Sequence, residues 1–236
     1  MRSNSQILQD IFVDFMLQKY NGFFLDIGAG NGGLKDKPIS FMSNTFSLEF
    51  HKGWNGLCID FDEDYVKKAT LLRKSKAVCA DLTKSNINSI LHDQKAPKDI
   101  DYLSLDVDDA TEYVLDTLNF NEYRFKIITY EHNLFQAQGT SNQVHSEEHK
   151  AEVLRLHEKS RAVFEEHGYR LLFGNVGLRG FGYVEDWYVD PLYFNNECLD
   201  MLQSNDIFCE DVIKKIMSLP CSVHQTSRSK TIKLGA

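Results

Sequence analysis

A glycine-rich turn and three aspartates in the sequence could together bind a nucleoside. The turn is Gly28-Ala29-Gly30-Asn31-Gly32-Gly33, Asp26 lies two residues before it, and Asp60 and Asp81 each end a later apolar run. Glycines allow the backbone to turn sharply and to come close to a ligand. A carboxylate at Asp60 could accept from both hydroxyls of a ribose, and one at Asp81 from the amino group of adenine. The spacing therefore predicts a pocket for an adenosine group.

The same glycines are also compatible with a second kind of ligand, a dinucleotide. They loosely fit the GxGxxG pattern of dinucleotide-binding turns, which would indicate a nicotinamide-dependent oxidoreductase. Such a turn opens a helix that receives the pyrophosphate, whereas Leu34-Lys35-Asp36-Lys37-Pro38 is a poor helix start. A glycine turn can also be only a turn, and a strand-end aspartate only a helix cap. The ordered set of turn, Asp60 and Asp81 favours a nucleoside without pyrophosphate.

A second cluster of charged residues could act on an acceptor molecule. Asp106, Asp108 and Asp109 follow one apolar run, and Glu131 and His132 end the next. Because adjacent parallel strands lie about 4.8 Å apart, we expect these groups to converge. Carboxylates with one imidazole suit Mg²⁺ or Mn²⁺, so we predict a metal site at Asp106, Glu131 and His132. Alternatively, His132 is a general base that acts with Glu131 and Asp108, or the aspartates only cap a helix.

The elements that must position these residues can be predicted from the hydrophobic pattern. Apolar runs predict strands at 23–27, 56–60, 77–80, 100–106, 125–130, 169–173 and 183–189, and helical spacing predicts helices near 5–19, 63–74, 84–92, 109–119 and 147–167. Strands that alternate with helices are typical of a doubly wound α/β fold. We therefore expect a Rossmann-like seven-stranded sheet, mostly parallel with an antiparallel edge strand. Ligands of such sheets bind outside the carboxyl ends of the strands.

Composition limits the classes of partner. The chain has 236 residues, 42% hydrophobic and 25% charged, with a net charge of −8. The negative charge argues against nucleic acid, and no apolar run reaches the ~20 residues that span a membrane. Five scattered cysteines without CxxC spacing predict reduced thiols in a cytoplasmic protein. We expect one domain over 1–220 with a flexible tail at 221–236, and surface positions for the histidines of the long helix, His157 among them.

Several segments resemble the FkbM-type S-adenosylmethionine-dependent methyltransferases. The segments extend over about residues 22–190 and read FLDIGAGNG at 24–32, SNTFSLE at 43–49, GWNGLCID at 53–60, IDYLSLD at 100–106 and ITYEHN at 128–133. The first is common to class I methyltransferases, and the SNT, GW and EHN segments are more specific. The resemblance implies a class I fold, S-adenosylmethionine as methyl donor, and a hydroxyl acceptor on a small molecule or glycan.

The resemblance also implies roles for individual residues. Asp26, Gly28 and Gly30 would line the methionine part of the cofactor, with Asn44 close by. Asp60 would hold the ribose and Asp81 the adenine. We expect the neighbouring cofactor-binding positions to be Ala29, Phe61, Leu82 and Asp106.

Two segments depart from the family pattern. Asp60-Phe61 stands where the family usually has Glu-Pro, and Asp106-Val107-Asp108-Asp109 stands where it often has Asp-x-Glu-Gly. The first change keeps a carboxylate for the ribose, whereas the second alters the shape of the acceptor pocket. The leading hypothesis is an O-methyltransferase, with Mg²⁺ or Mn²⁺ as a possible second cofactor. The alternatives are the nicotinamide-dependent oxidoreductase and a non-catalytic, cofactor-binding partner protein.

Overall fold

A mixed β-sheet forms the centre of the computed structural model, which describes residues 2–30, 36–139, 144–220 and 222–223. Its strands are β1 (Phe23–Ile27), β2 (Asn55–Asp60), β3 (Lys76–Cys79), β4 (Asp99–Leu105), β5 (Arg124–Glu131), β6 (Arg170–Leu178), β7 (Gly182–Val189) and β8 (Ser204–Phe208). Within the described ranges they form one eight-stranded sheet in the order β3-β2-β1-β4-β5-β7-β6-β8.

The strand directions match the predicted fold class. Strands β1 to β5 are parallel, and β7 pairs antiparallel with both β5 and β6. The seven predicted strands are all present. The expectation of seven was nevertheless one too few, because β8 adds to β6 in parallel at the sheet edge. Its sequence, SNDIF, has only two hydrophobic residues and lies partly exposed, so no apolar run marks it.

Helices cover both faces of the sheet. They are α1 (Gln9–Leu17), α2 (Phe46–Lys52), α3 (Glu63–Leu72), α4 (Ile87–Asp93), α5 (Thr111–Thr117), α6 (Leu134–Ala137), α7 (Glu147–Glu166), α8 (Asn196–Leu202) and α9 (Cys209–Met217). Side-chain caps fix where some of them start: Asp62 accepts from the amides of Asp64 and Tyr65 before α3, and Ser146 accepts from the His149 amide before α7. Helix α1 starts later than predicted, because residues 3–5 turn back towards Asp10.

The core is divided into two layers by the alternation of side chains along each strand. On one face, Phe24, Tyr102 and Trp187 belong to a cluster that includes residues of α1, α3 and α9. On the other face, Leu25 and Leu103 belong to a cluster that includes Phe164 of α7. A polar residue at the end of a strand therefore faces one of two different environments. Which one it faces depends on whether its position along the strand points its side chain to the first or the second face of the sheet.

The cysteines differ from the sequence-based expectation. Cys58, Cys79 and Cys209 are free, as predicted, but Cys198 is disulfide-bonded. The expectation of five reduced thiols was therefore wrong, since sequence spacing alone does not reveal which cysteines approach each other.

Two further expectations concern the C-terminal tail and the absence of a membrane-spanning segment. Position 221 and the tail from 224 onwards lie outside the described residues. Across the described segments, no helix combines the length and the apolar character that crossing a membrane would need.

Candidate active site

The carboxyl ends of β1, β2, β4 and β5 bring most of the predicted residues to one edge of the sheet. Asp26 pairs in register with Ser104 across β1 and β4, and Glu131 pairs with Glu185 across β5 and β7. Residues two positions apart on a strand point to the same face of the sheet. Phe24 and Tyr102 lie on one face, so that face also carries Asp26, Ser104 and Asp106. This face carries the candidate active site.

Asp26 is held in a buried polar network. The Thr45 hydroxyl donates to Asp26 Oδ2 at 2.5 Å and accepts from Arg73 Nη2 at 2.9 Å. Arg73 also donates to Glu49 at 3.3 Å. Burial raises the pKa of Asp26 to about 6, although the charge of Arg73 opposes the rise. Arg73 therefore helps to keep Asp26 ionised at neutral pH.

Only glycine fits at position 28. Its φ is +80°, and an added Cβ would lie 1.5 Å from the carbonyl oxygen of Asp106. The Gly28 and Ala29 amides donate to the Ile59 carbonyl at 2.9 and 3.2 Å. The start of the turn is therefore packed between the ends of β2 and β4. The remainder of the predicted turn, positions 31–33, lies outside the described residues.

Asp60 fixes the next part of the turn. Its Oδ2 accepts from the Gly30 amide at 2.7 Å and its Oδ1 from the Asp62 amide at 2.8 Å. Burial raises the pKa of Asp60, whereas these backbone donors lower it. Phe61 follows with its side chain 79% exposed. An exposed ring beside a strand-end carboxylate is a surface on which a base could stack.

Asn44 offers an unused acceptor. Its Nδ2 donates to the Ser104 hydroxyl at 2.9 Å, whereas its Oδ1 is buried without a hydrogen-bonding partner. A buried polar atom without a partner is costly. A ligand that carries an ammonium or hydroxyl group could satisfy it.

The Asp81 carboxylate accepts hydrogen bonds from residues that follow it closely in the sequence. Its carboxylate accepts from the Thr83 amide at 3.0 Å, from the Thr83 hydroxyl at 2.6 Å, and from Lys84 at 2.6 Å. The Lys84 and Thr83 hydrogen bonds lower the pKa of Asp81 to about 2. Leu82 beside it is buried. The structure therefore gives Asp81 a turn-forming role, and its predicted contact with adenine stays a prediction.

Asp106 and Glu131 form a carboxyl pair at the ends of β4 and β5. The two carboxyl groups are hydrogen-bonding neighbours, and such a contact is favourable only when one of them carries a proton. Burial and then the charge of Asp106 raise the pKa of Glu131 well above its usual range, and burial also raises that of Asp106. Glu131 is thus the protonated member and Asp106 the acceptor.

Two further acids surround this pair. Glu185 on β7 is buried, accepts from Gln9 Nε2 at 2.5 Å and from Trp187 Nε1 at 2.6 Å, and burial raises its pKa to about 8. Asp108 is exposed, and its Oδ1 accepts from Asn133 Nδ2 at 3.2 Å. The side chain of Asp109 lies outside the described part of the chain. The acidic environment predicted after β4 is therefore present.

His132 is not brought together with Asp106 and Glu131. Because successive side chains alternate, it points to the opposite face from Glu131. Its Nδ1 accepts from the Leu134 amide at 3.1 Å, and its Nε2 lies 3.5 Å from Asp186 Oδ1. The side chain is fully buried, and burial lowers its pKa. This placement corrects both the expected convergence of Asp106, Glu131 and His132 on one metal ion and the expected role of His132 as a base.

A different group of possible ligands occurs on that opposite face. Among the described residues, only His132, His157 and Asp186 offer three ligand atoms within 4.8 Å of one another. His157 is therefore buried beside Asp186, not exposed as expected. Both oxygens of Asp186 already accept from Arg161, at 2.7 and 2.9 Å. The guanidinium repels a cation at this position, so the group fits a structural ion-pair network better than a metal site.

The sequence match decides the family. Residues 33–171, more than half of the chain, match the family described as the methyltransferase FkbM domain. The chain belongs to this FkbM methyltransferase family. The resemblance to S-adenosylmethionine-dependent FkbM-type enzymes is thereby confirmed. No curated protein matches the sequence.

Solved structures share the architecture of this FkbM domain at low identity. A candidate caffeoyl-CoA O-methyltransferase from Staphylococcus aureus is 11% identical, with a TM-score of 0.50 over 77% of this chain and 82% of that one. A TehB-like SAM-dependent methyltransferase from Corynebacterium glutamicum is 14% identical, with a TM-score of 0.42 over 78% and 89%. At 11% identity, the likeness to the Staphylococcus aureus protein shows the fold alone.

The FkbM family membership bears on the open alternatives. In the described residues, the first helix after the glycine turn is α2, which begins at Phe46. A dinucleotide-binding turn would place a helix N-terminus directly at the phosphates. Both the family and this geometry therefore argue against the nicotinamide-dependent oxidoreductase.

Sequence reasoning missed several residues that support the FkbM site. Thr45 and Arg73 position Asp26, and Gln9 and Glu185 border the carboxyl pair. Glu185 could have been noticed as an acid inside an otherwise apolar strand. Arg73 carries no local signal, because its partners are 24 and 28 residues away.

Proposed function

We propose that this FkbM-family chain transfers a methyl group from S-adenosylmethionine to a hydroxyl group of a small molecule or glycan. The observation that carries the proposal is the placement of the Asp106–Glu131 carboxyl pair beside the turn at Gly28. A carboxylate at this edge can receive the proton that a hydroxyl must lose when it is methylated. S-adenosylmethionine, when bound, would supply an electrophilic methyl group to this edge.

The residues on this edge fit the cofactor. The unsatisfied Oδ1 of Asn44 and the ionised Asp26 suit the ammonium group of its methionine part. Asp60 has remaining lone pairs for ribose hydroxyls, and the exposed Phe61 ring suits the base. The amide of Gly30, held by Asp60, keeps the backbone close to this position. Asp81 and Leu82 would border the adenine.

The carboxyl pair would handle the proton. Asp106, the ionised member, would accept the proton of the acceptor hydroxyl, while S-adenosylmethionine would supply the methyl group and leave as its neutral thioether. Glu131 keeps its own proton and stabilises the Asp106 carboxylate before the transfer through its hydrogen bond. General-base help of this kind contributes about 10²–10⁴-fold to a rate. Asp108, exposed and near the pair, would orient the acceptor.

A metal-assisted variant of this chemistry is less well supported. The predicted ligand His132 faces the other side of the sheet. Mg²⁺ or Mn²⁺ would therefore have to bind without the imidazole.

Binding and turnover can be tested separately. Calorimetry should detect S-adenosylmethionine binding, and Asp60→Ala should weaken it, whereas Lys98→Gln at the opposite edge of the sheet should not. Turnover is measured as the transfer of a radiolabelled methyl group from S-adenosylmethionine to each of a panel of hydroxylated compounds. Asp106→Asn should reduce this turnover about 10²–10⁴-fold and leave the affinity for the cofactor unchanged. Absence of binding at millimolar cofactor would refute the proposal. Turnover of any acceptor would eliminate the non-catalytic alternative.

A further inference from the structure

A cleft of about 530 Å³ lies between the N-terminal segment and the loop before α2. It is lined, among others, by Arg2, Asn4, Gln6, Ser40, Phe41 and Met42. This volume lies within the ~300–1,000 Å³ of small-molecule sites. None of the residues assigned above to cofactor or proton transfer lines it.

The first wall of the cleft is held in place by two buried polar side chains. Asp10 accepts from the Ser3 hydroxyl at 2.7 Å, the Asn4 amide at 2.9 Å and the Ser5 hydroxyl at 2.7 Å. Gln9 accepts from the Ile7 amide at 2.9 Å. Both anchors are at most 1% exposed. This wall is therefore held in one conformation by hydrogen bonds to buried side chains.

The same anchors connect the wall to the proposed reaction centre. The Gln9 side chain that accepts from Ile7 also donates to Glu185, and Glu185 is the cross-strand neighbour of Glu131. A molecule in the cleft would therefore lie against a wall that is hydrogen-bonded to Glu185, the cross-strand neighbour of Glu131.

The second wall rests on the cofactor side of the site. Met42 pairs with Ser5 in an isolated parallel bridge and has a φ of +56°, which is strained for a bulky residue. Strain of this kind persists where the surroundings fix it, often at binding sites. Asn44 and Thr45 follow two and three residues later and bond to Ser104 and Asp26. The second wall of the cleft is therefore continuous in the chain with residues of the proposed cofactor site.

The lining indicates what kind of molecule would bind. Phe41, Met42 and Pro38 give one apolar side. The side chains of Gln6 and Ser40 have no hydrogen-bonding partner within the described part of the chain. An apolar surface opposite unused amide and hydroxyl groups suits a hydroxylated ring, which has an apolar face and polar edges.

The cleft also carries positive charge in a chain whose net charge is −8. Arg2 lines it with an exposed guanidinium that pairs with no acid in the described ranges. Lys37 Nζ lies 5.1 Å from the centre of the Phe41 ring. A guanidinium matches a carboxylate through two parallel hydrogen bonds. Arg2, with Lys37 nearby at the Phe41 ring, favours a ligand that carries a carboxylate.

We propose that the cleft between residues 2–6 and 38–42 binds the methyl acceptor, and that this acceptor is a hydroxylated ring carrying a carboxylate, as in a uronic acid. This assignment rests on the proposed function, since it places the acceptor of that reaction. The carboxylate contacts Arg2, the ring lies on Phe41, and a hydroxyl extends towards Asp106.

The test uses the full chain saturated with S-adenosylhomocysteine and two matched pairs of probes. Glucuronate and galacturonate are compared with glucose and galactose by saturation-transfer NMR titration. At least one uronate should bind at least tenfold more tightly than its neutral partner. Arg2→Gln should remove this preference, Arg2→Lys should restore part of it, and Lys98→Gln should retain it. Phe41→Ala should weaken the bound uronate about tenfold.

The outcomes separate this assignment from the proposed function. Binding of S-adenosylhomocysteine without any uronate preference, or a preference that survives Arg2→Gln, overturns the acceptor cleft and leaves the methyltransferase proposal intact. A uronate preference that depends on Arg2 in a chain that binds no cofactor refutes the methyltransferase proposal and retains a sugar-acid site. Urea unfolding of each variant checks that a loss of binding is not a loss of fold.

Discussion

Replacing Asp26 with asparagine should stabilise the folded chain at neutral pH while it weakens cofactor binding. Burial raises the pKa of this carboxyl to about 6, from 3.8 in an unfolded chain. The folded state therefore binds the Asp26 proton more tightly than the unfolded state does. Keeping Asp26 ionised in the fold costs free energy at any pH at which the free carboxyl would be ionised.

The sign and size of the effect follow from this difference. The penalty is absent well below pH 3.8, grows as the pH rises from about 4 to 6, and is complete above that. A difference of about two pKa units corresponds to about 3 kcal/mol at pH 8, of which roughly half is already present at pH 5. Asparagine carries no charge to bury, and its side-chain oxygen can still accept from Thr45. The stability gain of Asp26→Asn should therefore increase by about 1 kcal/mol between pH 5 and pH 8.

Urea unfolding of both proteins at pH 5, 6, 7 and 8 measures this increase. Subtracting the wild-type free energy at each pH cancels the titration of all other groups, and Asp93→Asn, at an exposed carboxyl, serves as the control. Calorimetry at pH 8 should show weaker S-adenosylmethionine binding to Asp26→Asn. A stability difference that stays constant or falls between pH 5 and pH 8 would refute the reasoning, because Asp26 would then not be the buried, costly anion described above.

Three further perturbations test other parts of the structure. Gly28→Ala should destabilise the fold by at least about 2 kcal/mol, because the cost of the positive φ adds to the cost of the clash between the new Cβ and Asp106. The matched control is Gly139→Ala, where φ is +71° and the surrounding space is open. It should cost only about 1 kcal/mol in the same urea assay. Asp186→Asn should cost at least about 2 kcal/mol because it leaves Arg161 without its carboxylate, and an unchanged unfolding midpoint would contradict this. Extended dialysis against EDTA should leave turnover unchanged, and a loss that Mg²⁺ restores would revive the metal-assisted mechanism.

The fold could be predicted where hydrophobic pattern and local chemistry agree. The runs that became β1 to β5 are apolar and short, and Asp62 caps α3 as its position indicates. Strand β8 could not be found in this way, because an edge strand needs only one neighbour and its side chains are partly exposed. Helix α1 was extended too far, since the bonds of residues 3–5 to Asp10 are tertiary contacts.

The site could be predicted only in part, for two different physical reasons. The contact of Gly30 with Asp60 follows from strand order, so the sequence was sufficient. The separation of Glu131 from His132 also follows from strand alternation, but proximity in sequence suggested convergence instead. The Arg73–Thr45–Asp26 network and the Gln9–Glu185 bond depend on how helices dock on the sheet, and no local pattern encodes that.

The opposite orientations of Glu131 and His132 have a consequence for how the protein tolerates change. Substitutions at Glu131, which is partly buried on the candidate active-site face, alter the proposed carboxyl pair but leave the packing around His132 in place. Substitutions at His132 disturb a buried cluster with His157 and Asp186 while leaving the reacting groups in place. A library of variants scored for cellular abundance and for turnover should therefore give opposite signatures at these adjacent positions: normal amounts of inactive protein at 131, and reduced amounts of active protein at 132.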